Sequence, residues 1–333
     1  MQYKNIAEEE KMKVGILGAG NIAKKMAETL NGMEGASAYA VASRSPEKAE
    51  EFARSNHVEK AYGSYEEMLQ DEQVELVYVA TPHSHHLEHG KLCIKYGKPI
   101  LMEKAFTANA DQARELLDCA GDRGVFITEA IWTRYMPSRK KIDHIIASGQ
   151  LGEICSLTAN LGYALTDKKR MTDPALAGGA LLDVGIYPLN FASMVLGNDV
   201  EKMTSACVKY KTGVDAQDSI ILSYPGGKTA TIHTGMLAAT EQYGIVYGTE
   251  GYLIAYNINN IDRIEIFTPD RKLKERIDIP PQITGYEYEV LSCKKALEEG
   301  RLECPEMPHN ETLKMMEWMD ALRKDWGIRY PFE

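Results

Sequence analysis

The segment Gly18-Ala19-Gly20-Asn21-Ile22-Ala23 constrains the fold of this 333-residue chain more than any other stretch. It follows an apolar run at 13–17 and opens a helical pattern over 21–30, so it reads as the turn joining a strand to a helix. The spacing Gly18-x-Gly20-x-x-Ala23 lets the backbone approach a pyrophosphate, which then rests on the N-terminus of the helix. Such a pattern is weak by itself, and its weight comes from lying between a strand and a helix. Gly18, Gly20, Asn21, Ile22 and Ala23 are therefore candidate contacts to a dinucleotide.

The rest of the first third repeats the alternation. Strands are expected at 38–42, 60–62, 76–80, 99–102 and 125–128, with helices at 46–55, after the Ser64-x-x-Glu67 capping box, up to Tyr96, and over 110–121. The run at 76–80 is almost wholly apolar, as a parallel strand covered on both faces requires. This pattern predicts an α/β fold with an N-terminal, doubly wound parallel sheet. After about residue 130 the pattern changes. A helix over 137–148 leads into eight strand-like stretches between 153 and 277, several joined by short turns such as 225–227 and 250–251. One helix at 181–196 interrupts them, and helices at 286–299 and 310–325 close the chain. The expected organisation is a polar leader (1–11), a dinucleotide-binding domain (12–131) and a substrate-binding and oligomerisation domain (132–333). The last would be α+β, built on a large, mostly antiparallel open sheet.

Charge and cysteine usage narrow the partners. A net charge of -10 argues against nucleic acid or an anionic membrane, so an anionic ligand needs a local positive site. No apolar run is expected to approach the roughly 20 residues that cross a bilayer. The acidic start has no apolar signal region. Six cysteines without a C-x-x-C pair suggest reduced, mostly buried thiols in a cytoplasmic protein.

Ligands of open α/β sheets bind outside the carboxyl ends of the strands. The strand at 99–102 ends there in Glu103-Lys104, two charges where an apolar run stops. At the end of the second strand stand Ser43 and Arg44, with no acid before Glu47. A guanidinium there suits a 2′-phosphate better than a 2′-hydroxyl, so NADP(H) is preferred, with NAD(H) as the alternative. Thr81, Pro82 and His83 are expected to line the cofactor crevice, and His86 to cap the next helix or lie near the nicotinamide. The four histidines of 83–89 straddle a strand end and a helix start, and their divergence argues against a metal site. In the second domain Asp183 and Tyr187 are four apart on one helix face. A tyrosine needs a nearby cation to move protons at neutral pH, and Lys104 is the natural candidate. Tyr286 is placed to close the pocket from the opposite side.

These motifs resemble the Gfo/Idh/MocA oxidoreductases, and within them the branch of dimeric dihydrodiol dehydrogenases and NADP-dependent xylose dehydrogenases. The resemblance covers the chain after its first 11 residues. It rests on the glycine turn, Thr81-Pro82-His83, Glu103-Lys104-Ala105, Glu129 through Tyr135, and Gly179 through Tyr187. Ala105 replaces the proline of the family's Glu-Lys-Pro motif. The resemblance implies hydride transfer between NADP(H) and a ring carbinol of a sugar or related diol, with a lactone or ketone product. By it, Tyr187 is the general acid/base, Lys104 lowers its pKa and binds the reacting oxygen, and Asp183 orients the substrate. It also places Trp132 and Arg134 near the nicotinamide and Trp132 near the substrate. A homodimer is implied, with a tetramer as the alternative. Two other readings stay open: a non-catalytic NADP-binding regulator, and a sugar–sugar oxidoreductase that never releases its cofactor.

Overall fold

The computed structural model describes residues 11–333; the expected leader falls almost wholly outside them. Six strands form the first sheet: β1 (Met12–Leu17), β2 (Ala36–Ala42), β3 (Lys60–Tyr62), β4 (Leu76–Val79), β5 (Ile100–Glu103) and β6 (Ile127–Ala130). Their order is β3-β2-β1-β4-β5-β6, and every neighbouring pair is parallel. The crossovers carry α1 (Asn21–Gly32), α2 (Pro46–Ser55), α3 (Tyr65–Gln70), α4 (His86–Lys95) and α5 (Ala110–Arg123). With helices on both faces, all four residues of β4 are buried. Side-chain caps start three of these helices: Ser45 Oγ accepts from Lys48 N–H at 3.3 Å, Ser64 Oγ from Glu67 N–H at 3.2 Å, and Asn109 Oδ1 from Gln112 N–H at 2.9 Å. The strand order reverses between β1 and β4, and a crevice opens at their carboxyl ends.

The second sheet has eight strands: β7 (Ile154–Gly162), β8 (Lys202–Lys209), β9 (Asp215–Ser223), β10 (Thr229–Gly235), β11 (Gly244–Gly248), β12 (Gly251–Tyr256), β13 (Arg263–Phe267) and β14 (Leu273–Asp278). The order is β14-β13-β12-β11-β7-β10-β9-β8. All pairs are antiparallel except β7 with β10. Burial alternates along β12, which marks a sheet with one covered face. Around it lie α6 (Pro137–Ala147), a short α7 (Lys169–Thr172), α8 (Ile186–Leu196), α9 (Glu287–Glu298) and α10 (His309–Asp325). The covering helix α8 packs on β7, β10 and β11.

Two expectations need correction. The sixth strand begins at Ile127 rather than at 125: Val125 and Phe126 are buried, and only the Phe126 carbonyl reaches β5, accepting from Ile100 N–H at 2.9 Å. The stretch Pro174–Leu196 is 23 residues long and apolar enough to span a bilayer by length and composition. Most of it is buried inside the protein, where it supplies the core of the second unit.

Candidate functional site

A cavity of about 510 Å³ lies between the strand ends of the first sheet and the covering elements of the second. Its floor on one side is the glycine turn. Gly18 has φ +111°, and a Cβ there would stand 3.0 Å from the Ala80 carbonyl, so the turn can pass β4 only as glycine. Gly20 is different. It is the N-cap of α1, it lacks a side-chain cap, and a Cβ at this position would meet nothing within 4 Å. The first-turn N–H groups thus have no side-chain cap, and the open space at Gly20 leaves room for a pyrophosphate beside them. Gly20, Asn21 and Ile22 line the cavity with Thr81, Pro82 and His83, while Ala23 is buried behind them. At the far end of the crevice Ser43 is buried at the end of β2 and Arg44 is exposed. Arg44 has no ion pair among the described residues, and its charge acts on Tyr65 and His89.

Lys104 follows β5 at the centre of the cavity. Its ammonium donates to Asp183 Oδ1 at 2.9 Å and to the Asp183 carbonyl at 2.6 Å, and it lies over the Tyr187 ring, 5.0 Å from the centroid. The cation from the first sheet and the carboxylate and phenol from the second therefore meet in one place. Both Asp183 and Tyr187 sit where a π-helical turn, Leu181–Gly185, runs into α8. Asp215 anchors that turn, its buried carboxylate accepting from Leu181 N–H.

The charges are arranged in pairs. Burial opposes ionisation of Asp183, but Lys104 and then Arg170 hold its carboxyl well below the usual range. Arg170, on α7, binds the other carboxylate oxygen, Oδ2. Glu103 is buried beside Lys104; its Oε1 accepts from Tyr78 O–H and its Oε2 from Lys104 N–H at 3.1 Å. Burial pushes its carboxyl up to about 7. Tyr187 is held well above 10 by burial, then by the negative charges of Glu103 and Asp183. Burial and these negative charges outweigh the Lys104 ammonium, so the net lowering expected for the tyrosine is not found. The ammonium addresses Asp183 and the face of the ring, and Tyr187 keeps its proton.

Other candidates stand further back. His83 faces the cavity, with Nε2 3.1 Å from the Lys104 carbonyl and Nδ1 3.4 Å from that of Ala177; burial lowers its pKa, so the ring is neutral. His86 is fully buried at the start of α4 and joins the ends of β4 and β5, with Nδ1 2.9 Å from the Ala105 carbonyl and Nε2 2.7 Å from that of Thr81. It does not line the cavity. Trp132 is also behind the wall: its ring stacks on Tyr286 with centroids 4.3 Å apart, and Tyr286 is the aromatic that lines the cavity. Arg134 points elsewhere. Its guanidinium donates to Asn190 at 2.6 Å and to Ser193 and Glu311 at 2.9 Å each, a buried network tying the segment after β6 to α8 and α10. Its place beside the nicotinamide is thus replaced by a structural one. Tyr163, Leu165, Arg170, Leu176 and Asn259 also line the cavity and were not expected there. Only Arg170 carried a readable signal, as a cation in the run Asp167-Lys168-Lys169-Arg170.

Comparison with known proteins agrees with this geometry. Residues 12–130 match the oxidoreductase family with an NAD-binding Rossmann fold, and residues 140–254 match the GFO/IDH/MocA C-terminal domain. The mouse trans-1,2-dihydrobenzene-1,2-diol dehydrogenase is 34% identical over 95% of this chain and 97% of its own. The NADP(+) D-xylose 1-dehydrogenase of Hypocrea jecorina is 34% identical over 96% of this chain and 93% of its own. A 3-ketoreductase from Actinomadura kijaniata, solved with NADP and TDP-benzene, superposes with a TM-score of 0.85 at 24% identity, covering 95% of this chain and 98% of that one.

Proposed function

The chain belongs to the GFO/IDH/MocA oxidoreductases, and from that premise we propose that it moves a hydride reversibly between NADP(H) and a ring carbinol of a sugar or related diol. The observation that carries this reading is the meeting of Lys104, Asp183 and Tyr187 in a cavity that also opens onto the Gly20 end of α1. The two dehydrogenases to which the chain is similar act on a dihydrodiol and on xylose, which supports the substrate class. Arg44, exposed and free of ion pairs among the described residues, supports a 2′-phosphate and hence NADP(H).

A bound nicotinamide ring supplies or accepts the hydride; the protein's part is to hold the reacting carbon and control the proton. In the direction of reduction, Tyr187 donates its Oη proton to the carbonyl oxygen as hydride reaches the carbon, giving the carbinol. The phenolate left behind is stabilised by the Lys104 ammonium over its ring. In oxidation the same phenolate takes the hydroxyl proton. With its pKa held high, Tyr187 keeps its proton in the resting site, and the phenolate forms only when the Lys104 ammonium and a developing oxyanion favour it. Asp183 fixes the position of the Lys104 ammonium. The exposed face of the eight-stranded sheet, where Val208 and Ile221 are uncovered, is the surface on which two copies would associate.

The test is a panel of pyranoses, trans-diols and ketones assayed with NADP(H) and NAD(H). Turnover of at least one sugar or diol, with a preference for NADP(H), is expected. Tight cofactor binding with no change in nicotinamide absorbance across the panel would favour the non-catalytic regulator.

A further inference from the structure

We propose that Arg170 is a displaceable latch on Asp183, and that its displacement selects substrates carrying two adjacent hydroxyls. The inference rests on the reading of this cavity as the substrate site. Asp183 has both carboxylate oxygens engaged, Oδ1 by Lys104 and Oδ2 by Arg170. The two ion pairs differ in surroundings. Side-chain exposure is 13% for Lys104 and 15% for Asp183, but 54% for Arg170. Breaking the shielded pair would strand two charges away from water, whereas Arg170 can return its charge to solvent at little cost. Any group that competes for Asp183 therefore displaces Arg170 and leaves Lys104 in place.

Counting donors says what that group is. An ammonium has three N–H donors, and Lys104 spends two on Asp183, leaving one. Once Arg170 leaves, Asp183 offers one free acceptor beside it. The pair then presents one donor and one acceptor side by side. A vicinal diol matches it: the reacting oxygen accepts from Lys104 while the neighbouring hydroxyl donates to Asp183 Oδ2. A substrate with one hydroxyl uses only the lysine and leaves Arg170 latched. Arg170 thus competes with diols and not with their deoxy counterparts, which makes it a specificity-determining residue. It lies on α7 between Leu165 and Leu176, which line the same cavity.

The experiment is calorimetric binding of a vicinal diol, trans-cyclohexane-1,2-diol, and of its one-hydroxyl counterpart, cyclohexanol, to the NADPH-loaded protein and to Arg170→Ala. The diol is expected to bind about threefold or more tightly in the variant, the scale of removing an exposed ion pair, while the analogue binds as before. Arg170→Lys should return the diol affinity toward wild type. Weaker diol binding in Arg170→Ala would make Arg170 a direct substrate contact, and equal changes for both ligands would make it a general feature of the loop; either result overturns the latch. Because binding is read without turnover, absence of dehydrogenase activity would count against the hydride-transfer reading and leave the latch to be judged by affinity.

Discussion

The Lys104 ammonium lies over the face of the Tyr187 ring, 5.0 Å from its centroid, and both of its hydrogen bonds go to Asp183. The strand-end lysine is thereby divided between two tasks. It neutralises a shielded carboxylate, and it stands ready for a phenolate that forms only during proton transfer. A cation over a ring favours the ionised phenol without a direct bond to its oxygen.

Replacing Tyr187 by Phe should keep the packing and the dinucleotide site while removing the proton. Turnover is expected to fall by about 10²–10⁴-fold, the range for losing a general acid, with NADPH affinity unchanged. Lys104→Met should also abolish most turnover, and it should cost about 3 kcal/mol of stability because it leaves Asp183 short of its shielded partner. Steady-state kinetics, fluorescence titration with NADPH and urea unfolding separate these effects. A Tyr187→Phe enzyme with undiminished turnover would remove the tyrosine from the mechanism.

Stability should fall as pH rises from about 5 to about 7. Burial pushes Glu103 and Glu129 up to about 7 from an ordinary 4.5, so the folded state keeps protons that the unfolded chain has already released. The stability these protonated acids confer is fully present below the unfolded value and is lost by the time pH passes the folded one. Asp183 acts in the opposite sense, its folded value lying below 3.8, so its contribution disappears only in stronger acid. Urea unfolding across this range should show the decline, and Glu129→Gln should flatten it. Stability that rises between pH 5 and 7 would show that these carboxyls are ionised in the folded protein.

Much of this was readable in the residues. The first sheet could be read because a glycine turn between a strand and a helix is local, and because covered parallel strands are continuously apolar. Its error at β6 has a simple cause: Val125 and Phe126 are apolar because they are buried, and apolarity reports burial rather than strand pairing. The parallel pairing of β7 with β10 joins residues 73 positions apart, Thr229 with Ser156 for example, and no local signal announces it. Partners supplied only by the fold hid two roles as well. Arg134 follows Trp132 and looked like a cofactor contact, but its partners Asn190, Ser193 and Glu311 are supplied by α8 and α10. Arg170 sits in a charged run that reads as a solvated loop, and only the fold turns it onto Asp183 while Lys168 pairs with Asp167.

Arg44 should decide between the two nicotinamide dinucleotides. A phosphate held by a guanidinium is worth about 1.5–3 kcal/mol, so Arg44→Ala is expected to weaken NADPH binding by roughly 10–100-fold and to leave NADH binding almost unchanged. Parallel titrations with the two cofactors measure this. Equal losses for both would place Arg44 outside the adenosine end of the site.

Asp215 should matter to catalysis although it is remote from the reacting atoms. Its Oδ2 accepts from Leu181 N–H at the start of the turn that bears Asp183, and a Cβ on Gly179, whose φ is +132°, would collide with its Oδ1. The glycine thus permits the carboxylate to approach, and the carboxylate sets where the turn begins. Asp218, nearby on β9, is pushed up to about 9 by burial and then by the charge of Asp215, so it holds a proton. An amide resembles a protonated acid, and Asp218→Asn should therefore be nearly silent. Asp215→Ala, in contrast, leaves the Leu181 N–H unsatisfied in the interior, at a cost of about 1–3 kcal/mol, and lets the Asp183–Tyr187 segment drift. Its kcat should drop while its NADPH affinity holds, since the glycine turn belongs to the other sheet. If Asp218→Asn were as damaging as Asp215→Ala, the proton would have to reside on Asp215, and the capping role would pass to its neighbour.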